Sequence, residues 1–233
     1  MHIKAFLPAS LIEYPGHIAD VLYVGACNFR CPYCYNVELV LRPDLLPDLE
    51  PVEVLRKLAL RGGFVDGVVV SGGEPTLQPD LLGFLLRVRQ LGLPVKLDTN
   101  GYRPDVLRQC LEQHAVDYVA MDVKSSLARY EEVAGVRMDV KRVQQSIDLI
   151  LSSGLDHEFR TTVVPTLVDL SDVQAIVPLI AGARRYYLQC FRPIDTVGWG
   201  REPPVAMPSA ELLYRMVNVA AGHVQEVGVR GLP

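Results

Sequence analysis

The sequence predicts an α/β protein, an open and partial (βα)6 barrel preceded by a short N-terminal hairpin extension. Three observations support this fold class. Helical and strand signals alternate from residue 51 onward, the connections between them are short, and six βα units are too few to close an eightfold barrel. We therefore expect a parallel sheet with its helices outside and its ligands at the carboxyl ends of the strands.

The N-terminal elements come before this repeat. Two apolar runs, residues 2–7 and 19–24, are separated by a segment in which Pro15-Gly16 signals a turn, so they predict a hairpin. Residues 36–50 combine prolines and acidic residues without a clean period. They predict irregular structure, which could act as a flexible cover.

The repeat begins at Pro51, which suits a first helical turn. Apolar residues recur at helical spacing until Gly62-Gly63 end the helix, and the β-branched run 65–70 predicts the strand that follows. The later helices are predicted at 80–91, 105–113, 140–153, 172–181 with a bend at Pro178, and 208–221. The later strands are predicted at 95–98, 117–124, 158–164, 186–191 and 223–229.

The composition limits the class of function. The chain has 233 residues, which we interpret as a single domain covering 1–233, and its net charge is −4 with acids and bases interspersed. No surface for a polyanion is indicated, so nucleic acid is not an expected partner. The sequence shows neither a signal peptide nor an apolar run of about eighteen residues, so we expect a cytoplasmic protein without a membrane partner.

Three of the five cysteines, Cys27, Cys31 and Cys34, lie together in a loop that we place at 25–36. Three thiolates at this spacing can hold one inorganic centre. A structural zinc site normally takes four protein ligands, usually in pairs, and no second pair follows here. An iron–sulfur cubane on three thiolates leaves one iron free for chemistry. A closed zinc site or buried unreactive thiols are the alternatives.

The remaining cysteines, Cys110 in a helical pattern and Cys190 in a strand pattern, are predicted to be buried small apolar residues. An odd number of cysteines makes a poor disulfide framework and suits a reducing compartment. Two further thiols are too few for a second cubane, so we expect one cluster.

Two motifs carry a family resemblance. The CxxxCxxC loop, with Tyr33 before its third cysteine, and the later Ser71-Gly72-Gly73-Glu74-Pro75 resemble the cluster loop and the GGE motif of the radical S-adenosylmethionine (SAM) enzymes. This resemblance implies a barrel of radical SAM type, one [4Fe–4S] cluster on the three loop cysteines, and SAM as the second cofactor. It counts Tyr33, Gly72, Gly73 and Glu74 as cofactor-binding, with the glycine turn holding the SAM amino group. An ordinary glycine turn with a solvated acid is the alternative.

Two strand ends, Leu97-Asp98-Thr99-Asn100-Gly101 and Met121-Asp122-Val123-Lys124, look like the DTNG and DxK segments of glycyl-radical-enzyme activases. The resemblance implies that Asp98, Asn100 and Asp122 lie near SAM, that Lys124 offsets the acids or contacts SAM, and that a monovalent cation could bind near Asp98 and Asp122. A structural Asp–Lys pair beside an Asn-Gly turn is the alternative.

The fifth predicted strand places Arg160 and Thr162 on one face, because alternate side chains of a strand point the same way. In related activases the equivalent residues line the SAM pocket, which implies a cofactor-binding role for both. A salt bridge that only supports the fold is the alternative for Arg160. At the end of the sixth strand, Gln189 and Arg192 could face a substrate.

Over nearly the entire chain the sequence resembles the anaerobic ribonucleoside-triphosphate reductase activating proteins. This implies reductive cleavage of SAM to a 5′-deoxyadenosyl radical, which abstracts a glycine hydrogen from an anaerobic ribonucleotide reductase or another glycyl-radical enzyme. It also implies a flavodoxin- or ferredoxin-type reductant. Two residues depart from the pattern: Tyr35 stands where relatives commonly show His, and Cys190 where Gln is expected.

Two other functions remain open. One is a radical SAM enzyme acting on a small molecule, as 7-carboxy-7-deazaguanine synthase does, or on a peptide. The other is a non-enzymatic iron–sulfur or zinc module, in which the glycine turn and the acidic strand ends would have no role.

Overall fold

A computed structural model describes residues 1–193 and 206–232. Its contacts divide the chain into two compact units. The first unit comprises Met1–Asn28, Glu38–Thr99 and Arg103–Val119, and the second comprises Phe29–Val37, Asn100–Tyr102 and Ala120–Pro233. The single domain over 1–233 stays a prediction.

The first unit is built on four strands and the helices that connect them. The strands are β1 (Ile3–Ser10), β2 (Ala19–Val24), β3 (Gly67–Gly72) and β4 (Val95–Thr99). The helices are α1 (Val37–Leu41), α2 (Pro51–Arg61), α3 (Leu81–Gln90) and α4 (Pro104–Glu112). Strand β5 (Tyr118–Asp122) begins in this unit and ends in the other.

The strand pairing confirms the predicted hairpin. β1 pairs antiparallel with β2, and β2, β3 and β4 pair in parallel in chain order. The centre of this sheet is buried on both faces, since Leu22, Val69 and Leu97 are all inaccessible to solvent. Buried faces on both sides explain why these strands are continuous apolar runs in the sequence.

Residues 36–50 are more regular than the sequence predicts. They contain α1 and a short 3₁₀ turn at Pro43–Leu45, so the expectation of irregular structure is wrong for these stretches. The Leu49 amide donates to the Ile3 carbonyl over 2.7 Å, and Val40 is buried. Tertiary contacts hold this helix, and five residues are too few to show a helical period.

The second unit contains three parallel strands and four helices among its described residues. The strands are β6 (Asp156–Val163), β7 (Arg185–Cys190) and β8 (Glu226–Arg230), paired in chain order. The helices are α5 (Tyr130–Ala134), α6 (Lys141–Ser152), α7 (Leu170–Ile176) and α8 (Ala210–Ala220).

Helix α7 differs from its prediction at both ends. It begins after Asp169, whose carboxylate accepts from the Ser171 and Asp172 amides in a capping box. It ends at Ile176, so the predicted continuation to residue 181 with a bend at Pro178 is wrong. Proline lacks the amide that a continuing helix needs, and the chain leaves the helix before it.

His157 is buried inside the second unit. Its Nδ1 is 2.8 Å from the Leu155 carbonyl oxygen, and its Nε2 accepts a hydrogen bond from the Arg184 amide over 3.3 Å. A carbonyl can only accept and an amide can only donate, so the ring is neutral with its proton on Nδ1. Burial lowers the pKa of His157 below its usual value.

This pKa shift predicts a loss of stability in mild acid. Below the unfolded-state pKa of about 6.5, His157 binds a proton in the unfolded chain more readily than in the folded protein. The free energy of unfolding therefore falls as pH falls, by at most about 1.4 kcal/mol per pH unit. The His157→Gln variant should show a smaller drop in unfolding free energy between pH 7 and pH 5.5. The exposed His223 supplies the control His223→Gln, which should keep the wild-type slope. Equal slopes in all three proteins would contradict the role of His157.

None of the helices formed by residues 1–193 and 206–232 is both long and apolar enough to cross a membrane.

Candidate functional site

In the first unit the glycine turn packs against the chain that leads into Cys27. The Gly73 amide donates to the Val24 carbonyl and the Glu74 amide to the Ala26 carbonyl, each over 2.8 Å. A Cβ on Gly73 would lie 1.9 Å from the Ala26 carbonyl oxygen. Gly72 has φ +117° and equally little space, since its Cβ would lie 2.4 Å from the Val24 amide nitrogen. Both glycines approach the protein's own backbone closely. Their assignment to SAM binding stays a prediction.

Glu74 is a buried acid that caps the turn following the glycines. Only 1% of its surface is exposed, and its Oε1 accepts from the Thr76 amide over 3.1 Å and from the Thr99 hydroxyl over 2.7 Å. The Thr76 hydroxyl also donates to it. The two threonines were not named from the sequence, where nothing marks them as partners of this acid. Its assignment to the SAM ammonium stays a prediction.

Asp98 is held from two sides at the end of β4. Its Oδ2 accepts from the Ser71 hydroxyl over 3.1 Å, and its Oδ1 accepts from the Lys96 ammonium. Lys96 is itself buried, with 1% of its surface exposed, and its Nζ lies 5.9 Å from the centre of the Tyr118 ring. Lys96 was not predicted as a site residue, although a lysine inside a buried run, two residues before an acid, is a signal that marks such a pair.

The second unit holds Cys31 and Cys34 in a turn supported by α5. The Cys34 amide donates to the Cys31 carbonyl over 3.1 Å, and the Arg30 amide to the Ala134 carbonyl over 2.8 Å. Gly135 ends α5 with φ +70°, and a Cβ there would lie 2.2 Å from the Arg30 carbonyl oxygen. Helix α5, which the sequence pattern did not reveal, therefore positions this part of the cysteine loop.

Both thiols are in their protonated form at neutral pH. Burial raises the pKa of Cys31, against the opposing effect of the Lys124 ammonium, and burial also raises the pKa of Cys34. Ligation of iron requires thiolates, so binding a metal here must release protons.

Tyr33 carries a buried hydroxyl without a hydrogen-bond partner among residues 1–193 and 206–232. The Lys124 Nζ lies 6.0 Å from the centre of its ring. Burial raises the pKa of Tyr33 well above its usual value, so the phenol is neutral. An unpaired buried hydroxyl costs free energy, which a polar atom of a bound ligand would recover.

Asp122 forms the centre of an ion-pair cluster in the second unit. Its Oδ1 accepts from the Arg160 Nε and its Oδ2 from the Lys124 Nζ, each over 2.8 Å. Burial alone would raise the pKa of Asp122, but the charges of Arg160 and Lys124 more than offset it and hold this pKa well below its usual range. Asp122 likewise raises the pKa of Lys124 well above its usual value, against the effect of burial. All three groups are charged at neutral pH.

The other predicted residues of this unit make local contacts. The Thr162 hydroxyl donates to the Gln189 Oε1 over 3.3 Å, and the Asn100 Oδ1 accepts from the Tyr102 amide over 3.0 Å in a turn. The Tyr35 hydroxyl donates to the Arg192 carbonyl over 3.0 Å and accepts from the amide of the same residue over 2.8 Å. Tyr35, one of the two departures, thus joins the cysteine loop to the end of β7.

The remaining cysteines are buried as predicted, with Cys110 fully enclosed in α4 and Cys190 at the end of β7. In the described part of the chain, no three His, Cys, Asp or Glu side chains are placed to hold a single metal ion. The assignment of Cys27, Cys31 and Cys34 as cluster ligands therefore stays a prediction, as do the cofactor-binding roles above.

Comparison with known proteins identifies the family of this chain. The Radical SAM superfamily model matches residues 21–177. A protein of Methanocaldococcus jannaschii, provisionally named a glycyl-radical enzyme activating enzyme, is 31% identical over 98% of this chain and 95% of its own length. The pyruvate formate-lyase-activating enzyme of Clostridium pasteurianum is 27% identical over 81% of this chain and 79% of its own length.

A solved structure shows the same fold. Streptococcus suis SuiB superposes with a TM-score of 0.69 over 91% of this chain at 12% identity, and this chain spans 48% of the SuiB chain. The predicted fold class, α/β of radical SAM type with an N-terminal hairpin, is confirmed.

Proposed function

The chain belongs to the radical SAM superfamily as an enzyme of the activase type, and from this premise we propose that it generates a glycyl radical in a partner protein. The observation that carries the proposal is the alignment with the Methanocaldococcus jannaschii protein, which extends over 98% of this chain and 95% of that relative. The alignment therefore covers nearly all of this chain and of that relative. The partner we propose is an anaerobic ribonucleotide reductase or another glycyl-radical enzyme.

The cysteine loop has the chemistry that a [4Fe–4S] cluster requires. Cys27, Cys31 and Cys34 are not part of a disulfide, and thiolates are the ligands of such clusters. We propose that these three residues hold the cluster and that one iron remains open for SAM. When bound, the two cofactors supply reductive cleavage of SAM to methionine and a 5′-deoxyadenosyl radical.

The protein's own residues then bind and orient SAM. We assign the glycine turn of Gly72 and Gly73, with Glu74, to the amino group, and Asp98, Asn100, Asp122 and Lys124 to the neighbourhood of the carboxylate. We also assign Arg160 and Thr162 to SAM binding. Tyr33 adds a buried hydroxyl that lacks a protein partner among the described residues and can pair with a polar atom of the cofactor. No side chain is needed as an acid or base, because the cofactors carry the bond-breaking step.

The reductant, the cellular location and the domain organisation are also proposals. We propose a flavodoxin- or ferredoxin-type reductant, because reductive cleavage of SAM needs one electron from outside the chain. We also propose a cytoplasmic enzyme that forms one domain over residues 1–233.

Anaerobic reconstitution tests this function. Iron and sulfide are added, the protein is reduced with dithionite in the presence of SAM, and 5′-deoxyadenosine is measured together with iron content. We expect about four iron atoms per chain and 5′-deoxyadenosine formation. Co-incubation with an anaerobic ribonucleotide reductase should then give the electron paramagnetic resonance signal of a glycyl radical.

Three outcomes would contradict different parts of the proposal. A colourless protein with stoichiometric zinc would show that the cysteine loop binds a structural metal ion and not an iron–sulfur cluster. A cluster that never cleaves SAM would remove the enzymatic function. SAM cleavage that depends on a small metabolite, with no radical in any glycyl-radical protein, would replace the partner by a small-molecule substrate.

A further inference from the structure

Lys96 is a buried lysine that belongs to none of the sequence motifs described above. It lies in β4, two residues before Asp98, so the two side chains share one face of the strand. Lysine is almost never fully buried unless its charge is paired. Here its ammonium contacts the Asp98 carboxylate and lies 5.9 Å from the centre of the Tyr118 ring.

Both oxygens of Asp98 are already engaged inside the first unit. The Lys96 ammonium donates a hydrogen bond to Oδ1, and the Ser71 hydroxyl donates to Oδ2 over 3.1 Å. A Na⁺ or K⁺ ion at Asp98 would have to displace the ammonium or lie within a few ångström of it. Displacement leaves a buried unpaired charge, and close approach sets two cations against each other in a site of low dielectric.

Asp122 in the second unit is likewise compensated by the chain itself. Its two oxygens accept from Arg160 and Lys124, each over 2.8 Å. Each of the two acids implied as cation ligands therefore has its own protein cation. The residues present do not fit a free monovalent cation.

We propose that the Lys96 ammonium takes the place of a monovalent cation at Asp98 and holds this carboxylate in position, so that SAM binding requires neither Na⁺ nor K⁺. The inference rests on the proposed SAM site. Lys96 is a positioning residue in it, because it acts on SAM through Asp98. A tethered ammonium is present at a high effective concentration, whereas a free ion must be taken from solution.

The first arm of the test uses the wild-type protein. The dissociation constant of SAM is measured on anaerobically reconstituted protein without reductant, in KCl, NaCl and choline chloride at equal ionic strength. Choline is too large to replace a bound alkali ion. We expect the three constants to agree within about twofold. A SAM affinity that falls on the order of tenfold in choline chloride would overturn the proposal.

The second arm uses Lys96→Met, which keeps the length of the side chain and removes its charge. In choline chloride its SAM affinity should fall on the order of tenfold, and KCl or NaCl should restore most of it by filling the vacated position. Lys57→Met is the control, because Lys57 is an exposed lysine of α2 in the same unit and its loss changes net charge equally. It should bind SAM as the wild type does in every buffer.

The outcomes separate this inference from the proposed function. If Lys96→Met binds SAM normally in choline chloride, Lys96 does not position Asp98 and the inference is wrong. If Lys96→Met does not fold, Lys96→Gln is used, and the wild-type buffer comparison still decides whether an alkali ion is required. Absence of SAM binding by the wild type in all buffers would instead contradict the proposed function.

Discussion

Replacing Cys27, Cys31 or Cys34 by alanine is expected to abolish the iron–sulfur cluster, reducing bound iron from about four atoms per chain to near zero. A cubane on three thiolates has no spare protein ligand, so losing one leaves two irons without a thiolate. Anaerobic reconstitution followed by iron and sulfide analysis and the visible absorption spectrum of the cluster measures this. Formation of 5′-deoxyadenosine should disappear in parallel.

The other two cysteines supply the matched control. Cys110 and Cys190 are buried and lie in α4 and β7, outside the loop. Cys110→Ala and Cys190→Ala should keep the full iron content, with only a small loss of stability from the cavity that each substitution leaves. Full iron in any of the three loop variants would refute the ligand assignment.

Gly73→Ala is expected to have the second largest effect. Its Cβ would lie 1.9 Å from the carbonyl oxygen of Ala26, a backbone atom that cannot rotate away. The turn and the chain leading to Cys27 must separate, which breaks the bonds from the Gly73 and Glu74 amides to Val24 and Ala26. We expect the free energy of unfolding to fall by about 3 kcal/mol or more and SAM binding to be lost.

Gly83→Ala provides the control for this variant. Gly83 is an exposed residue of α3, and a Cβ there would have no neighbour within 4 Å. In a helix interior the same substitution should stabilise the protein by up to about 1 kcal/mol. Denaturant unfolding and SAM titration of the two variants separate a clash at the turn from a general effect of added side-chain volume. A Gly73→Ala protein with wild-type stability and SAM affinity would contradict the packing argument.

The order of the longer elements could be predicted because their signals are local. Pro51 and Gly62 bracket α2, and the β-branched run after them corresponds to β3. The hairpin followed from two apolar runs around a Pro-Gly turn. Helices α1 and α5 could not be predicted, since each has five residues and depends on tertiary contacts, such as that between Arg30 and Ala134.

The candidate site could be predicted in its motif residues but not in their partners. Asp98, Asp122 and Lys124 stand out as charges at strand ends, and the pairing of Asp122 with Lys124 matches the structural alternative weighed from the sequence. Thr99 escaped notice because its partner Glu74 lies in a turn that is distant in the sequence. Lys96 lies two residues before Asp98 on the same strand, so this pair could have been found from the sequence. Gly72 and Gly73 were recognised from their motif. Their close contacts with the backbone of Val24 and Ala26 could be identified only in the structure.

The strand pairs within each unit join elements that are consecutive in the chain, from β1 with β2 to β3 with β4, and from β6 with β7 to β8. β1 and β2 are joined by a short loop, whereas each parallel pair must close the longer crossover that parallel strands require, which raises the entropic cost of forming it. During synthesis on the ribosome, each new strand of these sets emerges next to a partner that has already been made. After the first strand of each set, every strand can therefore pair with one that has already been made.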